Sequence, residues 1–284
     1  MKNAVLPRLG VAVAALALAA CVSAATSGAK MKASSCTPAH KTSTVNKGVL
    51  TVALTNTPPY SFQRGNKLAG IDSAIVTTLA KQECLSVKFA PYTYVTAIPA
   101  VKVGRADVAI GGFYRTAARA KQVILSAPAY LDEMTLISKD GASTVDQLSG
   151  KRVGTVDGYL WVDDLKKLPG VNVTVYPDSQ SLANDLKVGR LDIAIDGYGA
   201  AIFDAKGTDF KLAVLKTDAR ITATSNPSQT AILVDPKERK LAAALNDLIA
   251  KLRSNGGLVK ILNANGLPAS AADVGSPRLI PRLN

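Results

Sequence analysis

Apolar and polar residues recur along the chain in two rhythms, one of period two and one near 3.6. Val49-Leu50-Thr51-Val52-Ala53-Leu54 is β-rich and runs into the turn-forming Thr57-Pro58-Pro59-Tyr60, which predicts a strand and then a loop. Ile71, Ala74, Ile75, Thr78 and Leu79 share one helical face, with Asp72 and Ser73 at its start. Leu85-Ser86-Val87-Lys88-Phe89 alternates as a second strand. The most informative stretch is Val103-Gly104-Arg105-Ala106-Asp107-Val108-Ala109-Ile110-Gly111-Gly112. It is answered by Val188-Gly189-Arg190-Leu191-Asp192-Ile193-Ala194-Ile195-Asp196-Gly197. Each copy follows a helical stretch (96–102, then 181–187), passes a glycine at the helix C-terminus and enters an apolar run ending in glycine. Such a run, with no polar alternation, is the pattern of a parallel strand buried on both faces. Strands over 151–156 and 171–176 give the second half the same order of strand, helix, strand, helix, strand. Residues 231–234 read as a further strand, and 241–252 as an amphipathic helix stopped by Asn255-Gly256-Gly257. Two distant copies are too few for a solenoid and predict two similar α/β lobes.

The first 20 residues have another pattern. Lys2 and Arg8 precede an apolar run over 9–20 that is too short to span a membrane, so residues 1–20 are predicted to be an export signal. Two cleavage readings stand. Leu18-Ala19-Ala20-Cys21 has the form of a lipobox, which would make Cys21 a lipidated first residue, and Val22-Ser23-Ala24 offers an ordinary cleavage site. Residues 21–46 read as a tether, poor in large apolar side chains. With Cys21 lipidated or removed, Cys36 and Cys84 are an even pair in an oxidising compartment, and a disulfide between them is predicted. No later apolar stretch has membrane-spanning length, and residues 268–284, with Pro277 and Pro281, read as a loose tail.

Composition narrows the chemistry. A net charge of +13 invites a nucleic-acid reading, but the 34 Lys and Arg are scattered, with Lys166-Lys167 and Lys151-Arg152 the nearest approach to a run. A nucleic-acid partner would call for a basic stripe, so none is expected. One His (His40) and three Cys leave no room for a multi-His zinc site, a His-based triad at the loops below, or a Cys-rich scaffold. No cofactor or metal is expected.

Several motifs fall in a telling order: Pro58-Pro59-Tyr60-Ser61-Phe62, Leu68-Ala69-Gly70-Ile71-Asp72, Ile98-Pro99-Ala100, Gly104-Arg105-Ala106-Asp107-Val108, Thr116-Ala117-Ala118-Arg119, Ser126-Ala127-Pro128-Ala129-Tyr130, Leu148-Ser149-Gly150-Lys151-Arg152-Val153-Gly154 and Ser254-Asn255-Gly256-Gly257-Leu258. In this order, over residues 47–267, the chain resembles bacterial extracellular solute-binding proteins of the polar amino-acid uptake family. The resemblance implies an α/β, two-lobe, periplasmic-binding-protein-like (type II) fold with a ligand cleft between the lobes. Lobe 1 would comprise 47–136 and 231–267, and lobe 2 would comprise 137–230. The hinge crossings would lie near Leu136-Ile137-Ser138 and Thr230-Ala231-Ile232. It further implies a monomeric periplasmic protein that captures an amino acid or related small carboxylate by lobe closure and passes it to an ABC permease in the inner membrane. Cyclohexadienyl dehydratases resemble the same family and reuse its cleft as enzymes. They need a positioned acid or base, and the candidate loops hold Asp157 and Asp196 but no His or Glu, so binding is the preferred reading.

Ligands of open α/β sheets sit beyond the carboxyl ends of the strands. Lobe 1 would offer Gly111-Gly112-Phe113-Tyr114-Arg115-Thr116-Ala117-Ala118-Arg119, with the Gly112 backbone close to the ligand and Tyr114 in the same loop. Thr116 can cap a short helix, and Arg119 offers a planar two-pronged donor for a carboxylate. The resemblance assigns Arg119 the clamp on the ligand carboxylate, with Arg115 as local competitor. It assigns Tyr60 and Tyr94 the aromatic contacts to the ligand. Lobe 2 departs from the family. Where a Gly-Thr-Thr step is usual, the chain reads Asp157-Gly158-Tyr159-Leu160-Trp161, and the position of the ammonium-binding Asp falls on Gly197, one place after Asp196. An offset of one residue turns a strand side chain to the other face, so both Asp196 and Asp157 stand as candidates for the amine. Tyr159 and Trp161 suit an apolar, aromatic or cationic ligand.

Overall fold

A computed structural model describes residues 36–281. The expected signal segment and Cys21 lie outside the described residues. The strands are β1 (Val49–Leu54), the β2 (Phe62–Arg64) and β3 (Lys67–Ala69) hairpin, β4 (Ser86–Pro91), β5 (Val108–Tyr114), β6 (Ile124–Leu125), β7 (Leu131–Asp132), β8 (Met134–Ser138), β9 (Arg152–Val156), β10 (Asn172–Tyr176), β11 (Ile193–Gly197), β12 (Lys211–Val214) and β13 (Ser228–Val234). The helices are α1 (Ile71–Gln82), α2 (Tyr94–Lys102), α3 (Ala117–Ala120), α4 (Val162–Lys166), α5 (Ser179–Lys187), α6 (Tyr198–Ala205), α7 (Arg239–Ser254) and α8 (Gly257–Ala264).

Two sheets follow one plan. The first runs β4-β1-β5-β13-β6 and the second β10-β9-β11-β8-β12. In each, three parallel strands are followed by an antiparallel one, β13 or β8. The echoed runs β5 and β11 occupy the same third place and are buried at every residue, as unbroken apolar strands should be. Gly104 and Gly189 end α2 and α5 at φ 72° and 74°, a left-handed turn that a side chain would resist. The repeated Asp has a structural role. Asp107 accepts from the backbone N–H groups of Thr51 and Val45, both at 2.6 Å, and Asp192 accepts from that of Arg152 at 2.8 Å. Each carboxylate thereby staples the start of the neighbouring parallel strand.

The chain leaves the first sheet after β7 and enters the second at β8 with only Glu133 between, then returns along the segment before β13. The expected crossings at 136–138 and 230–232 therefore fall inside strands β8 and β13, and the sheet change lies just before each. The first sheet packs against α1, α7 and α8 through Leu50, Ile71, Ile75, Leu79, Leu245 and Leu248. Helix α7 buries Leu241, Leu245, Leu248 and Ile249, the spacing of one amphipathic face.

Of the two segments expected to be loose, the described stretches, 36–46 and 268–281, are fastened. Cys36 and Cys84 form a disulfide with Cα atoms 5.7 Å apart. Nearby, the Ala39 N–H donates to Gln82 O at 3.1 Å, and the His40 ring contacts Glu83 at 2.7 Å and Asp247 at 3.1 Å. Residues 268–281, though largely exposed, are also tied down: a short 3-10 turn, Ala269–Ala272, buries Ala271 and Ala272. Gln229 donates its side-chain amide to Val274 O and Ser276 O. Most of these bonds use backbone groups, which leave no mark in a side-chain pattern.

Candidate functional site

The sheets present their strand ends to one shared cleft that is closed down to a cavity of about 10 Å3, room for about one water. Tyr60, Tyr94, Gly111, Gly112, Tyr114, Arg119 and Asp132 line it from the first sheet's side, and Tyr159, Leu160, Trp161, Asp196 and Gly197 from the second's. The cavity brings together Tyr60, Tyr94, Gly112, Tyr114, Arg119, Tyr159 and Asp196. It excludes Asp157, which is exposed on a turn and is not in the lining. The reason is local: its N–H donates to Tyr176 O at 2.8 Å, extending the β9–β10 pairing while the side chain faces water.

Arg119 is 6% exposed. Helix α3 has a single turn, capped by Thr116, whose hydroxyl accepts from the Arg119 N–H at 3.1 Å. The guanidinium donates through Nη1 to Tyr114 O at 2.9 Å and reaches Gly158 O, across the cleft, at 3.5 Å. It lies over the rings of Tyr94 and Phe113, 5.3 Å from each centroid. Among the described residues no carboxylate lies within 4.0 Å of it. A buried cation whose partners are carbonyls and ring faces is matched to an anion brought from outside.

Facing it are two buried carboxylates. Asp196 accepts from Ser179 Oγ at 2.5 Å, Tyr159 OH at 2.9 Å and the Gly197 N–H at 2.7 Å. Burial pushes it up to about 6 against the pull of those donors. Although one place early in the strand, Asp196 stands at its end and still reaches the cavity wall. Asp132, which the motifs did not single out, accepts from Tyr114 OH at 2.8 Å and the Gly199 N–H at 3.3 Å. Burial pushes it up to about 7. Its signal in the sequence is the acidic pair Asp132-Glu133 closing the run Ala129-Tyr130-Leu131, on the way between the lobes.

The role expected of the Gly112 backbone is corrected. The N–H groups of Gly111 and Gly112 both donate at 2.9 Å to Asp72, which also accepts from Tyr130 OH at 2.9 Å. These amides are committed within the first sheet's side and are not free for a ligand. Gly112 still has a packing reason, because a Cβ there would lie 2.9 Å from the Tyr60 ring. Tyr60 stacks on Tyr130 with centroids 5.9 Å apart, and its hydroxyl accepts from the Gly199 N–H at 2.7 Å and the Ala200 N–H at 3.3 Å, at the start of α6. It bridges the cleft as well as lining it. Tyr94 stands edge-on to Tyr159 at 4.7 Å, and Tyr114 to Trp161 at 5.8 Å. Once the cleft opens, its walls would offer a small molecule an anion partner at Arg119, cation partners at Asp132 or Asp196, and an apolar surface on the rings.

Comparisons with known proteins agree with this architecture. The family described as bacterial extracellular solute-binding proteins, family 3, matches residues 50–266. The L-cystine-binding protein TcyJ of Escherichia coli K12 is 28% identical over 75% of this chain and 80% of its own length. The L-arginine-binding protein of Pseudomonas aeruginosa is 28% identical over 70% of this chain and 80% of its own. Among solved structures, the amino acid ABC transporter substrate-binding protein AbpA of Streptococcus pneumoniae bound to L-arginine superposes with a TM-score of 0.69. It is 26% identical, over 81% of this chain and 98% of that one.

Proposed function

The chain belongs to the bacterial extracellular solute-binding proteins, family 3, and on that premise we propose that it captures a cationic amino acid for an ABC transporter. One observation carries the choice of ligand class: a buried arginine, without a carboxylate partner among the described residues, shares its cleft with two buried carboxylates. A zwitterion with a basic side chain supplies one anion and two cations, which neutralises all three groups, whereas a second carboxylate on the ligand would leave a charge unpaired. Arg119 takes the α-carboxylate. Asp196 and Asp132 take the α-ammonium and the side-chain cation, and Tyr94, Tyr159 and Trp161 cover the methylenes.

Capture proceeds by closure about the two crossings, at Glu133 and in the segment before β13. Tyr60 to Gly199, Arg119 to Gly158 and Tyr94 to Tyr159 are the contacts that closure completes. The ligand favours the closed form only by the contacts it gains there. The protein acts as a monomer in the periplasm, exported by the segment over 1–20. It is either lipidated at Cys21 or cleaved after Ala24, and it hands its load to an inner-membrane permease. We read the site as binding rather than catalytic, so incubation with prephenate or arogenate is expected to leave both unchanged.

Thermal melting with L-arginine, L-lysine, L-ornithine, L-histidine, L-cystine, L-glutamine and L-glutamate tests the reading, since a ligand of the folded state raises the melting temperature. Basic amino acids should raise it and L-glutamate should not, and Arg119→Ala should abolish the rise. A response confined to L-glutamate, or one indifferent to Arg119, would overturn it.

A further inference from the structure

The match to the family ends at residue 266, yet the chain continues in an ordered path past the end of β5 and the start of β13. We propose that residues 274–281 form a positioning strap for the ligand site, fixing the turn that carries Arg119 without touching the cavity. The inference rests on the reading of Arg119 as the ligand's anchor.

The strap meets the turn on both sides of Thr116. The Ile280 N–H donates to Arg115 O at 2.9 Å, and the Ala117 N–H donates to Ile280 O at 3.0 Å. Thr116 is the residue whose hydroxyl caps α3. A single helical turn has almost no stability of its own, so the direction of Arg119 is set by whatever holds its start. The strap is held in turn by Gln229, buried at 2% exposure as the second residue of β13. Its side-chain amide donates to Val274 O at 2.7 Å and Ser276 O at 2.8 Å, and its Oε1 accepts from the Arg278 N–H at 2.8 Å. The backbone carbonyl of the same residue accepts from the Arg115 N–H at 2.8 Å. One residue therefore grips both the strap and the turn, at the point where the chain comes back from the second sheet. Arg278 adds bonds to Val274 O and Pro227 O, the latter in the returning segment. No residue of the strap lines the ligand cavity.

A chain ending at Gly275 removes the bonds of Ser276, Arg278 and Ile280 but keeps the buried Ala271, Ala272 and Val274. Hydrogen exchange followed by mass spectrometry, without ligand, should show residues 113–120 exchanging about tenfold faster than in the full chain, with β9 to β11 unchanged. L-Arginine should bind the shortened chain about tenfold more weakly, as expected for loss of one well-aimed charge-assisted contact. Agmatine, the same molecule without its carboxylate, should bind both chains equally. Unchanged exchange over 113–120 would overturn the proposal, and so would L-arginine and agmatine losing affinity together, which marks general damage. If the shortened chain does not fold, Gln229→Met breaks the three side-chain bonds at constant length and carries the same comparison. Should L-arginine fail to bind the full chain, the ligand reading falls, while the exchange result still decides whether the strap holds the turn.

Discussion

Asp132 and Asp196 carry the same carboxyl group into two buried shells of hydroxyl and amide donors, and both emerge with raised proton affinity, at about 7 and about 6. Burial is the first cause in each and the donors only moderate it. Such a group holds its proton more tightly folded than unfolded. Its contribution to the stability of the unliganded protein is full below about pH 4 and is lost as the pH rises to about 7. Ligand binding should run the other way, because a cation needs the ionised carboxylates. L-Arginine affinity is expected to rise with pH up to about 7, by up to about tenfold per unit for each proton released. Calorimetry in buffers of different ionisation enthalpy would report that release, and Asp132→Asn should remove the part nearest pH 7. A flat profile between pH 5 and 8 would contradict the assignment. Gly197 is constrained by the same carboxylate: a methyl there would collide with Asp132 and stand 2.8 Å from the Tyr60 hydroxyl. Gly197→Ala should therefore cost about 1–3 kcal/mol in urea unfolding, the usual scale for overpacking.

At the scale of elements, the repeated Gly-Arg-x-Asp step explains why two sheets share one plan. Asp107 is fully buried and bonds two backbone amides, Thr51 in β1 and Val45 before it, whereas Asp192 bonds one and shares its charge with an exposed Arg152. Asp107→Ala should destabilise by about 1–3 kcal/mol, since it removes two hydrogen bonds to a buried carboxylate, and Asp192→Ala by clearly less. Equal losses in denaturant titrations would remove the distinction. The repeat and its strands were legible because an unbroken apolar run after a glycine-stopped helix has few other solutions. Strand β8 was not, since Met134–Ser138 offers no turn signal to separate it from the preceding crossing. Of the site, Arg119, Tyr60 and Tyr94 are reached through the family resemblance that the motif order carries, and they do line the cleft. Asp157 and Asp196 could not be separated, because only the turn after β9 shows which carboxylate faces water. Asp132 escaped because its place at the cleft comes from burial against Tyr114 and Gly199, which no local spacing records.

Across the whole molecule, closure is held by few groups, and the Tyr60 hydroxyl is the most exacting. It accepts two amides from the start of α6, and it has Asp132 beside it. Tyr60→Phe keeps the ring that packs on Tyr130 and Gly112 but leaves the Ala200 N–H without that acceptor and weakens the hold on Gly199. Each net hydrogen bond lost is worth about 0.5–1.5 kcal/mol, so the open form should gain roughly two- to twelvefold in relative population. The single tryptophan supplies the readout: Trp161 is 2% exposed in the closed cleft, with its indole N–H donating to Thr155 Oγ1 at 2.8 Å. Opening would wet the ring and move its emission to longer wavelength, and saturating L-arginine should restore the wild-type spectrum at a higher ligand concentration. The direction is fixed by linkage, because a ligand that binds the closed form must first draw it from a smaller population. Unchanged emission together with unchanged affinity in Tyr60→Phe would mean that the bonds from Gly199 and Ala200 do not hold the lobes together.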